Sequence, residues 1–163
     1  MIALRDLQYE DNEVELLIYL RRKSFDGEIH KVVLEVRFSF GVQFNESFPR
    51  LMRKFKQEVW HEILWTQYDI ERLHDVVTEM CDNHLNDASF HNLGIDHRNV
   101  PLLEQEFSLN IRADRTDYGD DVSVIAVCGI SGSGSAVMMS VAREHIIEWV
   151  KHIKHEFEIM ECL

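Results

Sequence analysis

Between Glu104 and Met160 the hydrophobic period of the chain changes from two to 3.6, and that change restricts the fold more than any other stretch. In Phe107-Ser-Leu109-Asn-Ile111-Arg-Ala113 apolar and polar residues alternate, the period of a half-buried strand. A polar segment, Asp114 to Asp121, leads into the apolar run Val122 to Ile130. Gly129-Ile-Ser-Gly132-Ser-Gly134-Ser then turns the chain into a further strand, Ala136 to Ser140. From about Val141 to Glu158 the spacing is helical, with Ala142, Ile146, Trp149, Val150, Ile153 and Phe157 on one stripe. Antiparallel strands closed by a packed helix make a folding unit. No residue within it names a reaction.

The first part of the chain repeats that plan coarsely. Residues 1–44 read as three strands. Val14, Leu16, Ile18 and Leu20 alternate with Glu15, Leu17 and Tyr19, which predicts a strand buried on one face and partly covered on the other. Val32, Leu34, Val36, Phe38 and Phe40 alternate with Val33, Glu35, Arg37 and Ser39, and Asp26-Gly27 is a hairpin signal between the two. Residues 45–56 fit a short helix starting near Pro49, with Arg50, Arg53, Lys54 and Lys56 as a solvated face or a nucleic-acid patch. Glu58 to Trp65 reads as a strand. Thr66 and Asp69 then form a helix cap, with Ile70, Leu73, Val77, Met80 and Cys81 on the buried side of a helix reaching about Asn83. The expected fold class is therefore α+β. Its antiparallel strands and two main helices form two similar strand–strand–helix halves, residues 1–84 and 100–163. An irregular segment, 85–99, joins them within a single domain.

A chain of 163 residues with 45% hydrophobic content can bury a core without covalent staples. Cys81, Cys128 and Cys162 are odd in number and widely spaced, and the first two read as small core residues of a reducing compartment. The N-terminus has no signal-peptide pattern and no apolar run has the length of a membrane span, so the expected location is the cytoplasm. A net charge of −12 disfavours a phosphate backbone as ligand and suits a basic partner.

Several constellations suggest chemistry and fail its specific requirements. The Gly129–Ser135 loop lacks the Lys and Ser/Thr of a P-loop, since Ala136-Val137 follow it, and Gly129-Ile-Ser131-Gly132-Ser133 breaks the nucleophile-elbow pattern. It is a hairpin turn. His152 and His155 stand three apart, where a His-Glu-x-x-His helix needs four, so no metal and no cofactor is expected. Trp60, Trp65 and Trp149 read as core. Asp114, Asp117, Asp120 and Asp121 crowd one turn around Tyr118, flanked by Arg112 and Arg115. The turn is either a charged hairpin that guards a sheet edge or an acidic recognition loop. His91, Asp96 and His97 in the irregular segment form a second candidate contact.

The order of Trp65-Thr66-x-x-Asp69-Ile70-x-x-Leu73, then Pro101-Leu-Leu-Glu104-x-x-Phe107-Ser-Leu109-x-Ile111, then a glycine-bearing hairpin and a final helix carries a resemblance. Across residues 30–160 the chain resembles the WapI-type immunity proteins of bacterial polymorphic-toxin and contact-dependent inhibition systems, with Pro-Leu-Leu-Glu one residue longer. The resemblance implies a cytoplasmic α+β protein, not an enzyme, that neutralises one cognate toxin domain by covering its active site. Many such toxins are basic nucleases. The expected contacts are Asp114, Asp117, Tyr118, Asp120 and Asp121, with the chain a monomer or weak homodimer. The rival is a small-molecule-binding domain or small enzyme with His91, Asp96 and His97 in a site between the halves. A third reading is a scaffold subunit joined through strand edges.

Overall fold

In the computed structural model, residues 2–25, 29–42, 55–91, 106–113, 120–130 and 133–162 are described. The alternating residues at each end of the chain form strands: β1 (Ile2–Arg5), β2 (Glu15–Phe25), β3 (Ile29–Val42) and β4 (Phe55–Leu64) make one antiparallel sheet in sequence order. A short helix, α1 (Tyr9–Asn12), lies between the first two. Helix α2 (Gln67–Asp82) follows, and then the plan repeats. Strands β5 (Asp87–His91), β6 (Glu106–Ala113), β7 (Asp121–Ile130) and β8 (Ser133–Ala142) form a second antiparallel sheet, followed by helix α3 (Arg143–Glu161). The chain is α+β, with a strand meander and a helix occurring twice.

The expected pairing of the second and third strands is present, in a register running from Glu15↔Ser39 to Phe25↔Ile29. The Asp26-Gly27 turn and residues 43–54, with Pro49, Arg50, Arg53 and Lys54, lie outside the described residues. Three details differ from the sequence reading. Phe55 and Lys56, expected at the end of a short helix, are the first residues of β4, paired with Val42 and Gly41, so the strand begins before Glu58. The segment expected to be irregular contains β5, whose Phe90 and Ala88 turn inward while Asp87, Ser89 and His91 face out. Three polar residues in five hide so short a strand. Ala142, expected on the stripe of the last helix, is the final residue of β8 and the N-cap of α3.

Helix α2 starts where Thr66 and Asp69 satisfy each other. Asp69 N–H donates to Thr66 Oγ1 at 3.2 Å, and Thr66 N–H and Oγ1–H donate to Asp69 Oδ2 at 3.1 and 2.9 Å. This reciprocal cap occupies donors that a helix start otherwise leaves without partners. Asp69→Ala is expected to remove about 1–2 kcal/mol of stability. A thermal melt reads that as a midpoint lower by a few degrees, and an unchanged midpoint would contradict it.

Between the sheets and the helices lies one contiguous cluster of buried residues, drawn from both sheets and from α2 and α3. At its centre Trp65, Phe90 and Phe107 stack at tilted angles, with centroids 5.2 to 6.3 Å apart. Trp149 is buried as expected, while the side chain of Trp60 is outside the described set. Cys81 and Cys128 are buried too, and desolvation raises both thiols, that of Cys128 to about 12. A thiolate is the reactive form, so these two are expected to resist thiol reagents in the native state while exposed Cys162 reacts. Titration with Ellman's reagent should count one thiol per native chain and three in denaturant.

The two sheets meet at a small polar joint. After β1, Leu7 N–H donates to the Ser140 carbonyl at 2.8 Å, and Ser140 N–H donates to Asp6 Oδ2 at 2.8 Å. Both main-chain groups of a β8 residue are thus met from the far end of the chain. The other oxygen of Asp6 accepts from Gln8 N–H and Asn12 Nδ2–H, each at 2.8 Å, which fixes the carboxylate in place.

Candidate functional site

Strand alternation sorts the second sheet into two unlike faces. Inward, Phe90, Phe107, Leu109, Ile111, Val122, Val124, Ala126, Cys128, Val137, Met139 and Val141 are buried against the helices. Outward, the register sets Asp87, Arg112, Ser123 and Ser140 in one row, Ser89, Asn110, Ile125 and Met138 in the next, and His91, Ser108, Val127 and Ala136 in a third. This outer face is open. Met138 is 72% exposed, Ile125 40% and Val127 37%, and Ala136 is exposed as well. Ile125 lies directly opposite Met138 and Val127 opposite Ala136, so four apolar side chains form one patch. Around it, Ser89 Oγ donates to Asn110 Oδ1 at 2.9 Å, and Asp87 stands opposite Arg112.

Of the residues nominated from sequence, Asp120, Asp121 and His91 are described, while Asp114, Asp117, Tyr118, Asp96 and His97 lie outside the described residues. Asp121 shares the outward direction of Ser123, Ile125 and Val127. His91 is on the same face, at the end of β5. The two are separated by six residues along the strands and two strands across, about 20 Å at ordinary sheet spacings. They share a surface without converging on a point.

Asp120 does structural work. Its carbonyl accepts from Arg143 N–H at 3.1 Å, at the first residue of α3, and its carboxylate lies 3.6 Å from Arg143 Nε. Arg143 Nη1–H in turn donates to the Cys81 carbonyl at 3.3 Å, near the end of α2. One arginine therefore ties Asp120 to both helices. His91 is held through its carbonyl, which accepts from Arg72 Nη1–H at 3.1 Å.

The apolar patch itself was missed in the sequence. Val124 to Cys128 is continuously apolar, so a strand there has an apolar residue on its outer face whichever way it is turned, and that is the signal that could have found it. Among the described residues, no group of three or more His, Cys, Asp or Glu side chains is placed to hold a metal ion. No described helix is long and apolar enough to cross a membrane. No protein-family model, curated protein or solved structure matches the chain.

Proposed function

We propose that this chain is an immunity protein: a cytoplasmic binding protein that neutralises a cognate, basic toxin domain, such as a nuclease, by covering its active site. The observation that carries the reading is the spread of Asp121 and His91 over one open sheet face. Catalysis requires several side chains within hydrogen-bond reach of one reacting group, and of the rival site His91, Asp96 and His97 only His91 is among the described residues. Protein recognition instead uses a patch of about 800 Å² per partner, roughly 30 Å across, with an apolar centre and a polar rim. The outer face of the second sheet has that composition. Polar residues border the patch of Ile125, Val127, Ala136 and Met138 on two sides: Ser89, Asn110, His91 and Ser108 on β5 and β6, and Asp121, Ser123 and Ser140 at one end. The resemblance in residues 30–160 and the charge of −12 support the same reading.

On this proposal the acidic chain draws in a basic toxin at long range, and its acidic residues meet the cationic groups that would otherwise hold substrate. The chain contributes no chemistry; it excludes substrate by occupying the cleft. Co-expression with the toxin encoded by the neighbouring gene is expected to restore growth and to yield a one-to-one complex. Continued growth arrest together with absence of a complex would sink the proposal. Within such a complex, Asp121→Lys is expected to slow association several-fold at low salt and to change dissociation little, because rim charges act mainly on the encounter. Association rates unaltered at low salt would remove Asp121 from the interface.

A further inference from the structure

The geometry points to the patch of Ile125, Val127, Ala136 and Met138 as the docking centre for a basic protein that inserts an apolar side chain among cationic neighbours. The inference rests on the immunity reading for its partner and goes beyond it in assigning the lifetime of the complex to these apolar side chains and in stating the kind of side chain they receive. Three observations carry it.

The first is an asymmetry between two sheets of the same plan. In the first sheet, Leu16 and Ile18 join the core, so Glu15 and Leu17 point to the outer face, yet they are only 3% and 4% exposed. Arg5, opposite Glu15 in the register, donates from Nε to Glu15 Oε2 at 3.0 Å. Those two outward side chains of β2 are covered, while Arg5 stays half exposed. The corresponding positions of the second sheet stand open, and Met138 at 72% is the most exposed large hydrophobic residue described. The second observation is registry. The four apolar side chains are paired across β7 and β8, so they form one contiguous patch of the kind that marks an interaction surface. Methionine at such a place adapts its shape to an incoming side chain.

The third is charge. A second copy of this chain would bring −12 against −12, and a nucleic acid or an anionic lipid surface would be repelled in the same way. A basic protein is the occupant that this charge attracts. Division of labour follows: the acidic residues accelerate encounter, and the buried apolar centre sets the lifetime of the complex.

The test uses the full-length chain and the purified domain of the neighbouring toxin, made catalytically inactive, in a surface-binding assay with variants at exposed positions. Met138→Asp and Ile125→Asp are expected to weaken binding at least thirtyfold, chiefly through faster dissociation. Met138→Lys should weaken it further still, because it sets a cation against a basic partner. Ile159→Asp, at an exposed apolar position on α3, is the control and should bind as the parent does. Circular dichroism melts confirm that each variant remains folded. If the parent binds and the Met138 and Ile125 variants bind equally well, the docking centre is wrong and the immunity reading stands. If the parent itself does not bind the toxin, both fall. Light scattering closes the last alternative: a dimer that Met138→Asp separates would make a second copy the occupant and overturn the proposal.

Discussion

Phe107→Ala is expected to lower folding stability by about 3–5 kcal/mol, the range for truncating a fully buried aromatic ring. Phe107 is completely buried, and its ring meets Trp65 at 5.2 Å and Phe90 at 6.3 Å between centroids. Those three rings come from the residue that follows β4, from β5 and from β6, so the lost volume lies where the first half of the chain meets the second. Close-packed surroundings relax only partly into such a hole, which adds to the lost transfer energy. For a chain of this size the thermal midpoint should fall by roughly 10 °C or more. Phe107→Leu keeps most of the volume and should lose well under half as much. Urea denaturation of both variants checks the pair, and equal losses would show that ring packing is not what the site supplies.

The second large effect is expected at Asp6. Asp6→Ala takes away the acceptor of three hydrogen bonds, from Ser140 N–H, Gln8 N–H and Asn12 Nδ2–H. Leaving the two partly buried donors, Ser140 N–H and Asn12 Nδ2–H, without partners costs about 1–3 kcal/mol. The more telling readout is local. The Ser140 amide is held by Asp6 while its carbonyl is held by Leu7, so hydrogen exchange at Ser140 should accelerate beyond the rise that global destabilisation gives to core amides of β7. Exchange at Ser140 that merely tracks the β7 amides would mean that the joint has no local stability of its own.

How much of this was legible beforehand depends on how local each cause is. Phe107, Leu109 and Ile111 announced their common face by alternation, and Thr66 with Asp69 announced a helix start by a three-residue spacing; both features depend only on neighbours. Strand β5 escaped notice because Asp87, Ser89 and His91 leave two inward residues to signal it. The apolar patch was hidden differently. In a run where every residue from Val124 to Cys128 is apolar, composition cannot tell the buried face from the open one, and only the sheet does so. Asp120 looked like part of a recognition loop, because the arginine that uses it stands 23 residues later in the chain, at Arg143. A carboxylate that substitutes for a neighbouring strand, as Asp6 does, leaves no local pattern.

The joint at Ser140 also sets an order of events during synthesis. Asp6 and Ser140 are 134 residues apart in the chain. At ordinary translation speeds the first strand waits on the order of ten seconds before its partner exists. Through that interval Asp6 has only its local donors, Gln8 and Asn12, and water, and the nascent first sheet lacks its neighbour. Closure of this joint therefore waits for β8, when a residue made early meets one made 134 positions later.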